Sequence, residues 1–161
     1  MRRRLQRDSL QVTLADAFII STHEAVWDAT EIDRELAETT EPSVPVGILS
    51  GDASALRAIV RYLRAVEKRP FSEIAALLGR AEQTIRSSFR LAPELPLFDE
   101  NGLRIPLAAF SEHATLSPLE VVVVSLARKR LRNVDIASLL GLDPRTVWTA
   151  RERARRKGVV A

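Results

Sequence analysis

Apolar stripes at helical spacing alternate along the chain with short turn-forming breaks. In SPLEVVVVSL (117–126), Leu119, Val122, Val123 and Leu126 fall at i, i+3, i+4 and i+7, one face of a helix. Four valines in a row, taken alone, favour a strand. Ser117-Pro118-Leu119-Glu120 decides against it, because a serine cap, a proline in the first turn and a glutamate placed to reach back form a capping box. The same face recurs at Leu56, Ile59, Val60 and Leu63 in SALRAIVRYL (54–63). Downstream the pattern predicts a short helix over 134–140, with Asn133 as its cap and a turn at Gly141. A last helix is predicted to start at Asp143-Pro144 and to stop at Gly158.

These stripes belong to an internal repeat. VPVGIL (44–49) matches IPLAAF (105–110), and SALRAIVRYL matches SPLEVVVVSL. EIAALLG (73–79) matches DIASLLG (135–141), and QTI (83–85) matches RTV (145–147). Order is kept, and the offset drifts only between 61 and 63. That period exceeds the common solenoid repeats and points to duplication of one small domain. The predicted fold is mostly α, with two tandem three-helix helix-turn-helix units over 44–91 and 105–161. A linker over 92–104 joins them, its prolines and Asn-Gly favouring turns. Val44-Pro45-Val46 and Ile105-Pro106-Leu107 are expected to begin short helices or turns that close each core. Residues 1–43 form a less regular N-terminal segment, partly disordered or docked through side chains such as Phe18 and Trp27.

Composition narrows the chemistry. Apolar residues make up 46% of the chain, enough for a core, and the scarcity of aromatics suits helix-on-helix packing. There is no cysteine, so disulfides and thiolate metal sites are excluded, and a reducing cytoplasm is compatible. No stretch reaches about 18 apolar residues, so no membrane span is expected. His23 and His113 lie far apart, and no HExxH, phosphate-binding loop or dinucleotide-binding glycine motif occurs. The expectation is a protein without catalytic activity, metal or cofactor. Charge informs by position: net −4 over 1–43, +2 over 44–104 and +5 over 105–161. The C-terminal excess lies where a polyanion would be met.

Six of those cations fall in DPRTVWTARERARRKG (143–158). Two helices joined by a tight turn need a small residue where they cross, a turn residue tolerant of positive φ, and apolar side chains locking the pair. Ile136, Ala137, Leu140, Gly141, Val147 and Ala150 meet this demand. Ile74, Ala75, Leu78, Gly79, Ile85 and Ser88 repeat it. Leu116, Ser117 and Glu120, then Ile136, Ala137, Leu140 and Gly141, then Thr146, Val147, Arg151, Arg153 and Ala154 make 116–157 resemble region four of bacterial sigma factors. The stretch is also similar to the DNA-binding domain of quorum-sensing-type response regulators. The resemblance implies DNA binding with the last helix in the major groove. Neither a promoter-opening region nor a receiver domain is recognisable beside it, so the expected role is transcriptional control by duplex binding.

In such a geometry the start of the second helix meets base edges. Spacing turns Arg145, Thr146, Trp148, Thr149 and Glu152 outward in the second unit, and Gln83, Arg86, Ser87 and Arg90 in the first. Arg145 and Arg86 suit guanine, Gln83 adenine, and Thr149 a thymine methyl. Arg153, Arg155 and Arg156 suit phosphates. Trp148 either stacks on DNA or packs within the protein. The first unit is the weaker reader, because Ala81 lacks the cap oxygen of Asp143 and Glu82 adds an acid. If both units enter one duplex, their subsites lie about 10 bp apart or a multiple of that. RRRLQR (2–7) suits a minor-groove arm, and the acids of 8–41 could mask the basic helices. The expected partner is duplex DNA. The rival is an adaptor that binds RNA polymerase or another protein, and a third reading is RNA binding.

Overall fold

Each half of the repeat opens on an X-Pro pair, and a residue before proline is kept out of the helical region. The computed structural model, which describes residues 41–160, joins these extended pairs into a sheet. Strand β1 (Ser43–Pro45) lies antiparallel to β2 (Arg104–Pro106), in the register Ser43↔Pro106, Val44↔Ile105 and Pro45↔Arg104. After β1 come a 3-10 helix (Val46–Leu49), α1 (Ala55–Ala65), α2 (Phe71–Leu78) and α3 (Glu82–Arg90). After β2 come α4 (Ala108–Glu112), α5 (Pro118–Arg128), α6 (Asn133–Leu140) and α7 (Pro144–Arg156). The fold is mostly α. The X-Pro segments close the core across the repeat, where a closure within each half was expected.

The halves are exchanged. The 3-10 helix of the first packs on α6 of the second, and α4 of the second packs on α2 of the first. Gly79 and Gly141 end α2 and α6 with φ of 59° and 62°, the left-handed region that glycine enters without cost. A Cβ on Gly141 would lie 3.0 Å from the Ser50 carbonyl oxygen, and one on Gly79 would lie 3.6 Å from Ser111 Cα. Ser50 and Ser111 are themselves repeat equivalents. Their hydroxyls donate to Gly47 O at 2.8 Å and to Ala108 O at 3.0 Å. The amide of Val46 donates to Leu103 O at 2.7 Å, and the equivalent amide of Leu107 donates to Pro42 O at 2.8 Å. Such reciprocal contacts are those of an isologous dimer. Here both protomers lie on one chain, and the approximate two-fold passes between Val44 and Ile105.

Helix α5 is central, packed by α1, α4, α6, α7 and β2. Val121, Val122, Val123 and Val124 are therefore all buried, none more than 1% exposed. An all-round apolar helix is a buried helix, which accounts for valines that read locally as a strand. Segment 92–104 does not separate two bodies, and the units drawn at 44–91 and 105–161 share one core. Leu95 and Phe98 pack on that core, and the Phe98 ring meets Tyr62 edge-on at 5.8 Å. Its turn does form, with the Gly102 amide donating to Asp99 O at 3.2 Å. Asn133 is not a cap but the first residue of α6, and Asp135 accepts from the Arg132 amide at 3.3 Å. No helix among the described residues is long and apolar enough to cross a membrane. The arginine arm, the acidic segment over 8–40, Phe18, Trp27 and His23 lie outside the described residues.

Candidate nucleic-acid interface

Helix α7 is held from behind. Val147, Ala150 and Ala154, at i, i+3 and i+7, are buried where α7 packs on α5 and α6. Its start is fixed by Asp143, whose carboxylate accepts from the Arg145 amide at 2.7 Å, and by Pro144, which has no amide hydrogen to satisfy. Its end is tied to the start of α5 through Glu120. That carboxylate accepts from the Ser117 amide at 2.8 Å and from Lys157 Nζ at 2.7 Å. The Ser117 hydroxyl accepts from the Glu120 amide at 3.3 Å, completing the capping box. Burial works to raise the Glu120 pKa. Hydrogen bonds from Lys157 and Ser117, with the nearby Arg153 charge, more than offset it and hold the carboxyl below its ordinary range. Glu120 of the capping box is thus a clamp that sets how α7 lies on its support.

The opposite side of α7 faces solvent. Arg145, Thr146 and Trp148 are exposed and Thr149 is half-buried. Trp148 is 57% exposed, so its ring is open to solvent. The Thr149 hydroxyl donates to Arg145 O at 2.8 Å, leaving its methyl and a lone pair available. Arg145, Thr146, Thr149 and Arg153 border an open groove of about 500 Å³ between α7 and the start of α5. Trp148 borders a second groove of about 260 Å³ with Arg151, Arg155 and Val160.

The cations of α7 divide by partner. Arg155 and Arg156 bind Glu152 at 2.9 Å and 3.2 Å, Arg151 binds Asn133 Oδ1 at 2.8 Å, and Lys157 is held by Glu120. Arg145 and Arg153 have no ion-pair partner among the described residues. The hydrogen bonds from Arg155 and then Arg156 pull the Glu152 pKa down to about 2. Glu152, expected on the reading face, sits as the counter-ion of the helix's own arginines.

Helix α3 is the repeat equivalent of α7. Gln83, Arg86, Ser87 and Arg90 are all exposed. Ser87 repeats the Thr149 bond, donating to Gln83 O at 2.9 Å. Ala81 supplies no side-chain cap. Arg86 is engaged: its Nε donates to Glu82 at 2.8 Å, and its guanidinium lies 4.9 Å from the Phe71 ring centre. Arg64 lies 5.0 Å from the same ring, Arg61 lies 5.2 Å from Phe89, and the two rings meet edge-on at 5.5 Å. This layer of arginines on phenylalanines escapes the sequence reading. Its signal was present in Arg57, Arg61 and Arg64, which share one helical face beside the apolar stripe.

The arrangement offers guanidinium groups without an ion-pair partner among the described residues, hydroxyls and an indole on an anchored helix, chemistry suited to binding a polyanion. Among the described residues, no group of histidine and carboxylate side chains is placed to hold a metal ion. Compared with known proteins, the chain matches no family model, no curated protein and no solved structure.

Proposed function

We propose that the chain binds duplex DNA sequence-specifically, as a transcriptional regulator, with α7 laid in the major groove. The observation that carries this reading is the division of α7. Arg145, Thr146, Trp148 and Thr149 face outward on its first two turns, while Val147, Ala150 and Ala154 fix its register from behind. The start of a helix so held is what reading helices bring to base edges. Arg145 reads guanine, and Arg153 meets a phosphate. Arg155 and Arg156 contribute less than their number suggests, because each must first leave Glu152.

The test is fluorescence anisotropy of the full chain on a panel of duplexes at several salt concentrations. Arg153→Ala lowers affinity evenly across sequences and reduces the salt slope by about one. Arg145→Ala removes about 1–3 kcal/mol of discrimination between preferred and scrambled duplexes. A second reading, a protein adaptor of the kind that docks on RNA polymerase, is favoured by the exposed apolar side chains of Trp148, Val134 and Leu139. Under that reading neither arginine variant changes DNA binding, whereas Trp148→Ala abolishes capture of the protein partner.

A further inference from the structure

We infer that the DNA site is an inverted pair of unlike half-sites, one under α7 and the other under α3. This rests on the DNA-binding reading above. A sequence repeated head to tail suggests subsites repeated head to tail, but the structure relates the halves by rotation. The strands are antiparallel, and equivalent residues Val44 and Ile105 face each other. The Ser43–Pro106 pair is exchanged into Arg104–Pro45 by the same operation. Gly141 lies on Ser50 as Gly79 lies on Ser111, and the amide bonds of Val46 and Leu107 are exchanged likewise. A two-fold protein matched to a duplex dyad brings its two reading helices to opposite strands, so their half-sites are inverted.

The half-sites differ because the helices differ. Gln83 stands where α7 has Arg145, and Arg86 stands where it has Trp148. The local frames agree, since Ser87 and Thr149 make the same bond to the carbonyl four residues back. Gln83 is exposed and directs the α3 half-site toward adenine where Arg145 directs the other toward guanine. Arg86 is held by Glu82 and Phe71, and Arg61 and Arg64 lie on the rings beside it. Arg61 and Arg64, resting on rings with no ion-pair partner among the described residues, suit phosphates, whereas Arg86 must first leave Glu82, so the α3 half-site is read less through bases and more through the backbone.

The experiment is selection from random duplex DNA with the full chain and with Gln83→Arg. The expected result is two inverted elements about 10 bp apart, or a multiple of that. Gln83→Arg shifts the second element from adenine to guanine by about tenfold in preference, leaving the first unchanged and making the site more nearly palindromic. A direct repeat, or one element indifferent to Gln83→Arg, overturns the inference and leaves the DNA reading standing. If no duplex is enriched at all, the DNA reading falls and the inference falls with it.

Discussion

Gly79 and Gly141 occupy the same position in the two halves, with φ of 59° and 62°, yet they differ in what a side chain would meet. Alanine at either adds left-handed strain of about 1–2 kcal/mol. Only at Gly141 does the new Cβ also press on a backbone oxygen, Ser50 O at 3.0 Å. Denaturant titration should therefore find Gly141→Ala the more destabilised of the two. Equal losses would mean that the Ser50 contact is slack. Both glycines are legible in the sequence as turn residues, but their partners are not, because Ser50 and Ser111 lie in the other half. Glu120 is a second case. Its pattern in the sequence announces a cap, while Lys157 is found only by folding. Its pKa is depressed in the fold, so its contribution is present above the unfolded value near 4.5 and is lost as pH falls below it. Glu120→Gln should cost about 1–2 kcal/mol at neutral pH and flatten the acid limb of the stability profile. An unchanged acid limb would remove the clamp from the account.

Helices α5, α6 and α7 are legible because each carries a stripe and most carry a boundary residue. Ser117 and Asp143 cap as expected, and Gly141 stops α6. The strands are not legible, since three residues with a proline are too short to display a period. Asn133 misleads because its side chain serves Arg151 instead of its own helix start. The charges of α7 are legible as a count and not as a state. Glu152 absorbs Arg155 and Arg156, a pairing visible only as i, i+3 and i, i+4 spacing. Glu152→Gln should release both arginines, strengthen binding to any duplex and steepen its salt dependence by one to two phosphate contacts, about 0.9 each in slope. Salt titration of wild type and variant checks this. Identical slopes would mean the arginines never meet phosphate.

At the scale of the whole molecule the repeat is plain in the sequence, but the operation relating its copies is not. Similar sequences are equally compatible with two beads on a string and with two halves wound together. The winding is decided by Val44 on Ile105 and by short helices that lie on the opposite half. Part of the core of each half is then covered by the other half. Residues 41–103 and 104–161, made separately, should lack cooperative unfolding as monomers, and mixing them should restore it. Calorimetry of each fragment and of the mixture checks this. Sharp monomeric transitions in the separate fragments would mean that each half folds alone. Legibility of the candidate site follows the same division. The outward residues of α7 follow from spacing, whereas the lack of an ion-pair partner for Arg145 and Arg153 among the described residues needs the fold. The claim that this surface meets DNA is tested most directly by amide chemical-shift mapping of the full chain with a selected duplex. The largest shifts are expected at Asp143, Arg145, Thr146, Trp148 and Thr149, smaller ones at Gln83 and Ser87, and none in β1 or β2. Bound duplex with the start of α7 unmoved, and the shifts gathered on another surface, would contradict it.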